Sequence, residues 1–204
     1  MHMSDSLQTP KPFAPAAQRN QQPILDVMRN LIANDDRVFE FGSGTGQHAC
    51  HISAALPGIY WQPSDLADKL PGIRQWIIES TCKNISDPIA LDLAQKTTPE
   101  YTADICFTAN TLHIVSWQNV INLFRHTITI LGHRGSLLVY GPININGEYT
   151  SEGNRQFDAQ LQSSNPESGI RDLEALDTLA AEHGMQSVQR ITMPANNHLL
   201  HWSM

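Results

Sequence analysis

Hydrophobic residues along the chain fall into short runs that alternate with stripes at helical spacing. In the first stripe, Ile24, Leu25 and Met28 share one face of a predicted helix, and the run at 37–41 ends in glycine, which is typical of a buried parallel strand. The same alternation continues to the C-terminus. It predicts strands at 37–41, 59–63, 88–92, 103–109, 136–140, 185–192 and 198–204, and helices at 16–33, 45–56, 70–80, 116–131 and 172–183.

The order of these elements favours an α/β fold. Strands that alternate with helices give a mostly parallel sheet, here of seven strands, with helices on both faces. The last two strands are joined only by the segment from Met193 to Asn197, which is too short for a parallel crossover and predicts an antiparallel strand at one edge. The segment at 142–166 is polar and irregular, and we expect only a short helix at 154–161 within it.

Length and composition indicate one globular domain. The chain has 204 residues, of which 41% are hydrophobic and 16% charged. A chain of this length and composition can form a buried core without disulfides or metals. We assign 13–204 to the domain and the polar segment 1–12 to a flexible tail. The odd number of cysteines, without a C-x-x-C pair, is typical of a reduced intracellular protein. Because no apolar run approaches the roughly 20 residues of a membrane span, we expect no membrane partner and a cytoplasmic location.

Charge and histidine spacing exclude two further classes of partner. The formal net charge is −7 and lysines and arginines form no cluster, so the sequence predicts no nucleic-acid partner. His48 and His51 are three residues apart, as are His198 and His201, but no cysteine or acidic cluster lies nearby in the sequence. We therefore predict no metal site. The oligomeric state stays open.

The sharpest motif is the glycine-rich segment at 40–47, which follows a predicted strand and precedes a predicted helix. Glycines at such a turn allow a ligand to approach the backbone closely because no Cβ stands in the way. The spacing is G-x-G-x-G, carried by Gly42, Gly44 and Gly46 with Ser43 and Thr45 between them. The nicotinamide fingerprint G-x-G-x-x-G would need a third glycine at Gln47, which argues against a dinucleotide.

Three acidic residues stand at the ends of strands or next to the glycines. Glu40 begins the motif, Asp65 follows the second predicted strand, and Asp92 ends the third. A carboxylate at the end of the second strand accepts hydrogen bonds from ribose hydroxyls, and one at the third can meet an adenine amino group. Carboxylates attract a cationic sulfonium and repel phosphates. This rim therefore predicts S-adenosylmethionine as the cofactor.

The chain resembles class I S-adenosylmethionine-dependent methyltransferases and, more closely, the domain of unknown function 938 family. The resemblance covers the chain from about Phe13 onward and is carried by the segments FAPAAQRNQQPI, FEFGSGTGQH, WQPSD, ANTLHI, YGPININGEYTSEGNRQFD, GIRDLE and MPANN. It implies a Rossmann-like methyltransferase fold. It also implies that Glu40 and residues 42–46 surround the methionine part of the cofactor, with Asp65 at the ribose and Asp92 at the adenine.

The same resemblance implies that two distant segments lie near the pocket. They are Arg19-Asn20 and the MPANN turn, which contains Asn196. Arg19 could pair with an acidic acceptor, with the methionine carboxylate, or with a structural ion-pair partner, and Arg171 has the same alternatives. The family supplies no acceptor.

Residues after the fourth and fifth predicted strands are candidates for chemistry. His113 is a candidate general base because its ordinary pKa is near neutrality, and the alternative is a capping or core-edge histidine. Asn110 could orient the acceptor or the cofactor amine. Tyr140 and Asn144 are expected on the acceptor side.

Together these features predict methyl transfer from S-adenosylmethionine to a small-molecule acceptor. One alternative is a non-catalytic module that binds S-adenosylmethionine or S-adenosylhomocysteine and acts through a protein partner. A second alternative, a nicotinamide-dependent oxidoreductase, is disfavoured by Gln47. The N/D-P-P-Y/F tetrapeptide of nucleic-acid amino methyltransferases is absent, and Asn110-Thr-Leu-His113 stands in its place.

Overall fold

Helices and strands alternate along residues 10–204, the part of the chain that the computed structural model describes. The strands of the main sheet are β1 (Arg37–Phe41), β2 (Tyr60–Asp65), β3 (Ile89–Ala90), β4 (Ile105–Ala109) and β5 (Ser136–Gly141), followed after an insertion by β9 (Gln186–Met193) and β10 (Asn197–Ser203). The insertion contributes β6 (Ile143–Ile145), β7 (Glu148–Tyr149) and β8 (Arg171–Asp172). The helices are α1 (Pro15–Met28), α2 (Gln47–Ala55), α3 (Leu70–Glu79), α4 (Trp117–Leu131), α5 (Glu152–Ser164) and α6 (Leu173–Glu182).

The main sheet has seven strands in the order β3-β2-β1-β4-β5-β10-β9. Strands β1 to β5 run parallel, and β10 runs antiparallel to both β5 and β9. This confirms the predicted seven-stranded, mostly parallel sheet with an antiparallel excursion at one edge. Strand order reverses between β1 and β4, where parallel sheets open a crevice beyond the carboxyl ends of their strands.

Helices cover both faces of the sheet at its centre, which explains why β1, β4 and β5 are buried almost throughout, whereas the edge strand β9 is largely exposed. Successive side chains of a strand point to opposite faces. Phe39 and Phe41 belong to a core shared with α4 and α6, whereas Val38 packs with Trp61 against α1 and α2. Glu40 therefore points to the α1–α2 side, beside Trp61.

Several elements are shorter than the pattern predicted, and α1 and β3 show two different reasons. Helix α1 ends at Met28 instead of at 33, because polar side chains beyond it compete for its backbone: the Asn30 amide donates to the Asp26 carbonyl, and the Ala33 N–H donates to Asp36. Strand β3 covers only Ile89–Ala90 of the predicted 88–92, since its residues pair with the very end of β2.

The insertion after β5 is more ordered than expected. Strands β6, β7 and β8 form a second sheet in the order β7-β6-β8, and α5 is longer than the predicted helix at 154–161. Asn146 and Gly147 both have positive φ, 54° and 73°, and connect the paired residues Ile145 and Glu148. This is the Asn-Gly signature of a two-residue hairpin, a signal that the sequence interpretation of an irregular segment overlooked.

The N-terminal tail was expected over residues 1–12, of which 1–9 lie outside the described residues. Lys11 and Pro12 contact α3: the Trp76 indole donates to the Pro12 carbonyl at 2.7 Å, and the Lys11 ammonium lies 3.8 Å from the centre of the Trp76 ring. Lys11 also pairs with Glu79. Within residues 10–204, the three cysteines are free and none of the helices has the length and apolar character that crossing a bilayer requires.

Candidate functional site

The glycine loop between β1 and α2 presents bare backbone at one position and packs tightly at another. Gly44 has φ +61°, and a Cβ placed there would meet no atom within 4 Å. Gly46 has φ +88°, and its Cβ would lie 3.2 Å from Cγ2 of Ile73 on α3. Gly44 is thus open toward a ligand, whereas Gly46 is required by helix packing and by its left-handed backbone.

Hydrogen bonds fasten this loop to the end of β2. The Ser43 N–H donates to the Ser64 carbonyl at 2.9 Å, and the Ser64 N–H donates to Ser43 Oγ at 3.1 Å. The Gly44 N–H donates to Asp65 Oδ2 at 2.6 Å. These bonds therefore hold the Asp65 carboxylate in a fixed position beside the loop.

Asp65 keeps acceptor capacity for a ligand. Its Oδ1 accepts a second backbone bond, from the Leu66 N–H at 2.7 Å, so each carboxylate oxygen has one protein donor. A carboxylate oxygen has two lone pairs, which leaves one on each oxygen for a pair of hydroxyls. Burial raises the pKa of Asp65 above its ordinary value, and the bonds from Gly44 and Leu66 oppose this shift.

Glu40 lies beneath the loop and away from the cavity that the loop borders. It is buried, and its Oε2 accepts a hydrogen bond from the Trp61 indole at 2.9 Å. Burial raises the pKa of Glu40 to about 7, although the bonds with Trp61 and Ser43 act in the opposite direction. Its predicted place beside the methionine part of the cofactor stays a prediction.

A first cavity of about 390 Å³ opens beside the loop, at the carboxyl ends of β1, β2 and β4. Of the predicted cofactor residues, Gly42, Gly44, Asp65, Asp92 and Asn110 line it. Ser43 and Gly46 do not line it: Ser43 holds the loop to Ser64, and Gly46 packs against Ile73. Thr45 lies beside the N-terminal segment around Pro12, and its hydroxyl donates to Oε1 of Gln47, the first residue of α2, at 2.9 Å.

The walls of the first cavity include apolar residues that the sequence analysis did not single out. Leu66 and Ile114 are 44% and 49% exposed and both line the cavity, together with Leu91 and Leu93 on either side of Asp92. Exposed aliphatic side chains on a cavity wall suit a flat ring such as adenine. The sequence could have indicated two of them by their position next to predicted site residues: Leu66 comes directly after Asp65, and Ile114 comes directly after His113.

Asn110 stands where the first cavity meets a second one. It lines both cavities and has φ +58°, an uncommon conformation that asparagine tolerates better than most residues. Its N–H donates to the Tyr140 carbonyl at 2.8 Å, which fixes the turn at the end of β4. Asn110 is thus the residue that the two cavities share.

The second cavity, of about 580 Å³, is bordered by segments that flank the main sheet and by the ends of β4 and β5. Four of the predicted acceptor-side residues line it: Arg19, Asn20, Tyr140 and Asn196. Asn144 does not, because it is buried in β6 between Tyr149 and Asp172. Two residues of α5 also line it: Asn154, which belongs to the insertion considered as a lid, and Phe157, which was missed because the insertion was predicted to be irregular.

A buried hydrogen-bond chain holds one side of the second cavity. His48 Nε2 donates to Asn20 Oδ1 at 2.7 Å, and the Asn20 amide is also bonded to the Tyr140 hydroxyl. Burial lowers the pKa of His48 to about 4, so its imidazole is neutral at pH 7. Burial likewise raises the pKa of Tyr140. These neutral groups fix Asn20 in place.

His113 lies one layer behind the two cavities and lines neither of them. It is 5% exposed, its ring meets Phe157 edge-on with the ring centres 5.3 Å apart, and a Cβ on Gly141 would come within 3.7 Å of its Nδ1. Burial, and after it the charge of Arg171, lowers the pKa of His113 to about 4. Its role as a general base stays a prediction.

The insertion is fastened to the loop that follows β4. The Arg171 guanidinium donates to the carbonyls of Leu112 and Val115 at 3.0 and 2.5 Å, and the Gly169 N–H donates to the His113 carbonyl at 2.9 Å. Within residues 10–204, Arg171 is thus held by backbone carbonyls and not by the ion-pair partner considered for it. Residues 10–204 contain no group of three or more histidine, cysteine or acidic residues arranged to hold a metal.

Solved structures with this architecture define the class of the fold. An O-methyltransferase family protein from Burkholderia thailandensis matches with a TM-score of 0.79 and 16% identity over 92% of this chain and 57% of its own. A putative O-methyltransferase from Nostoc punctiforme matches at 0.80 and 15%, over 93% and 57%. An O-methyltransferase family 2 protein from Planctomyces limnophilus, solved with apigenin, matches at 0.77 and 16%, over 93% and 60%. The fold is that of class I methyltransferases, and this chain spans little more than half of each of these proteins.

Residues 11–204 match the family model described as protein of unknown function, DUF938, and the chain belongs to this family. The resemblance found in the sequence is thereby confirmed for nearly the whole chain.

Proposed function

We propose that this protein binds S-adenosylmethionine in the first cavity and transfers its methyl group to a small molecule held in the second. The observation that carries this proposal is the position of Asn110, which lines both cavities. A transfer enzyme needs two ligands whose reacting atoms meet at one place, and the shared wall supplies such a place.

The residues around the first cavity fit the cofactor. Bare backbone at Gly44 leaves space for a ligand, Asp65 offers one free lone pair on each oxygen to a ribose diol, and Asp92 is available for an adenine amino group. The carboxylates also favour a cation. When bound, S-adenosylmethionine supplies a methyl group already activated on a sulfonium.

The protein's own contribution is then mainly orientation. Asn110 can hold the acceptor or the cofactor amine by its amide, and the fixed Asn20 and Tyr140 present polar groups to the acceptor. Holding reactants in line accounts for much of the rate of a displacement reaction. His113 stays the candidate base because of its position after β4. It lines neither cavity and its pKa of about 4 makes it a weak base, so orientation carries more of the proposed mechanism than proton removal.

The second cavity supports transfer over the alternative of a passive binding module. A module that only senses the cofactor has no need for a second cavity joined to the first, and this one is the larger of the two. The related folds carry the name O-methyltransferase, one of them in complex with apigenin, which supports a small organic acceptor.

Calorimetric titration tests the cofactor half of the proposal. We expect S-adenosylmethionine and S-adenosylhomocysteine to bind at one site each, and NADH to show no binding. A screen that follows S-adenosylhomocysteine release with small acceptors then tests transfer. Absence of heat with both sulfur ligands would exclude the proposed cofactor, whereas binding without turnover for every acceptor would favour the binding module.

A further inference from the structure

We infer that the second cavity selects acceptors that carry a carboxylate, and that Arg19 is the residue that binds it. This inference rests on the proposed function, because it assigns the second cavity to the acceptor. It adds the chemical class of that acceptor and a specificity-determining residue.

The second cavity carries a positive formal charge. Among the described residues that line it, Arg19 is the one with a charged side chain. The other polar lining groups are amides and hydroxyls, including Asn20, Asn154 and Tyr140. In a chain with a net charge of −7, a cavity wall whose formal charge is +1 is a local exception that favours an anionic ligand.

Arg19 has no hydrogen-bond or ion-pair partner among residues 10–204. Some other arginines are engaged: Arg74 forms a two-pronged pair with Asp87, Arg155 pairs with Glu152, and Arg171 binds backbone carbonyls. Arg37, Arg134 and Arg190 also form no side-chain hydrogen bond or ion pair within residues 10–204, but they do not line this cavity. Arg19 forms no such hydrogen bond or ion pair within the described chain. Its guanidinium keeps all five N–H donors for a planar anion, which a carboxylate matches with two parallel bonds.

The remaining wall indicates what the carboxylate is attached to. Phe157 is 38% exposed although it lines a cavity, and Pro142 and Pro194 add further apolar surface. An exposed aromatic ring on a cavity wall gains free energy when an apolar group covers it. The wall therefore suits a small acid with an apolar or aromatic body.

The methionine part of the cofactor is the competing source of a carboxylate. Arg19 does not line the first cavity, and neither α5 nor the turn Pro194–Asn197, which share the second cavity with Arg19, does so. A volume of about 580 Å³ also exceeds what the end of one amino acid fills. These features favour the acceptor, and the experiment separates the two sources.

The test uses pairs of probes that differ only in charge. Benzoate, 4-hydroxybenzoate, phenylacetate and succinate are each compared with the corresponding neutral amide, by calorimetry or saturation-transfer NMR in the presence of saturating S-adenosylhomocysteine. We expect at least one acid to bind about tenfold or more tightly than its amide, because a charged, bidentate hydrogen bond contributes about that much. If no pair shows a preference for the acid, the inference is wrong.

Variants assign the preference to Arg19. Arg19→Gln should remove the preference and leave the amides unaffected, Arg19→Lys should restore part of it, and Arg29→Gln, on the exposed side just after α1, should bind as the wild type does. If Arg19→Gln weakens S-adenosylhomocysteine but not 5′-methylthioadenosine, which lacks the carboxylate, Arg19 holds the cofactor and the inference is overturned. If the wild type binds neither sulfur nucleoside, the proposed function itself fails, a result separate from any preference for acids.

Discussion

The two cavities that meet at Asn110 are built in different ways. The first is formed by the ends of the main sheet, where backbone N–H groups and a bare glycine set the geometry and Asp65 is held by two of them. The second is formed by α1, the insertion and the turn Pro194–Asn197, and its character comes from side chains. The comparison indicates that the cavity proposed for the cofactor follows from the fold, whereas the cavity proposed for the acceptor depends on segments added around it.

The largest effect is expected from filling the first cavity. Gly44→Arg places a long side chain in the open space beside Asp65, and we expect calorimetry to show no binding of S-adenosylmethionine. Gly132→Arg is the matched control: its φ of +65° is nearly the same and its Cβ also points into open space, but it lies at the end of α4. Equal losses in both variants would mean that backbone strain, not occupancy, removes binding.

Protonation of Glu40 should affect the free energy of unfolding of the protein. A carboxyl whose pKa is raised from 4.5 to about 7 on folding stabilises the fold while it is protonated, and this contribution is lost as the pH rises through about 7. Glu40→Gln is isosteric and neutral at every pH. From pH 5 to pH 8, its free energy of unfolding should therefore rise relative to that of the wild type by up to about 3 kcal/mol.

Urea unfolding at the two pH values measures this difference, and Glu182→Gln, at the exposed end of α6, serves as the surface control. A stability difference between Glu40→Gln and the wild type that is the same at pH 5 and pH 8 would show that Glu40 is ionised throughout.

Removing the Asp65 carboxylate should weaken binding of the cofactor without affecting binding in the second cavity. Asp65→Ala loses the acceptors predicted for the ribose, and we expect binding of S-adenosylhomocysteine to weaken by about 1–3 kcal/mol. Asp68→Ala removes a nearby exposed carboxylate that does not line the first cavity. Unchanged affinity in Asp65→Ala would place the ribose elsewhere.

The sequence predicted the main sheet and the first cavity well, and the segments around the second cavity poorly. The strand-glycine-helix pattern around Gly44 and the acids at the ends of β2 and β3 have local signals, because a tight turn and a strand end restrict residue type directly. The seven strands and the sheet were predicted for the same reason. The insertion was not, since its strands are only two or three residues long and carry no readable period. Its one strong signal, Asn146-Gly147, needed a search for turns.

The position of His113 shows a limit of another kind. Strand order correctly places residue 113 after β4, but the facing of its side chain depends on Arg171 and Phe157, which are distant in the chain. No local pattern contains that information. The same holds for Arg19, whose lack of an ion pair is visible only once the whole surface around α1 is assembled.

The smallest effect is expected from the hydrogen bond between Tyr149 and Asp158, which holds the insertion together. It tests whether the two cavities are built independently. The Tyr149 hydroxyl donates to Asp158 Oδ2 at 2.7 Å, and Asp158 also accepts the Ile170 N–H at 2.6 Å, so this buried carboxylate ties β7 and α5 to the segment before β8. Tyr149→Phe should lower the free energy of unfolding by about 1 kcal/mol, as one charged hydrogen bond at a partly exposed site is lost.

If the two cavities are independently built, Tyr149→Phe should also loosen the wall of the second cavity and leave the first unchanged. Acceptor or acid-probe affinity would then fall slightly, while S-adenosylhomocysteine binds with wild-type affinity. Tyr60→Phe, which removes a hydroxyl from an exposed tyrosine at the start of β2, should change neither. A loss of cofactor affinity in Tyr149→Phe would contradict this independence, because it would mean that the insertion reaches the first cavity through the loop after β4, to which Arg171 and Gly169 fasten it.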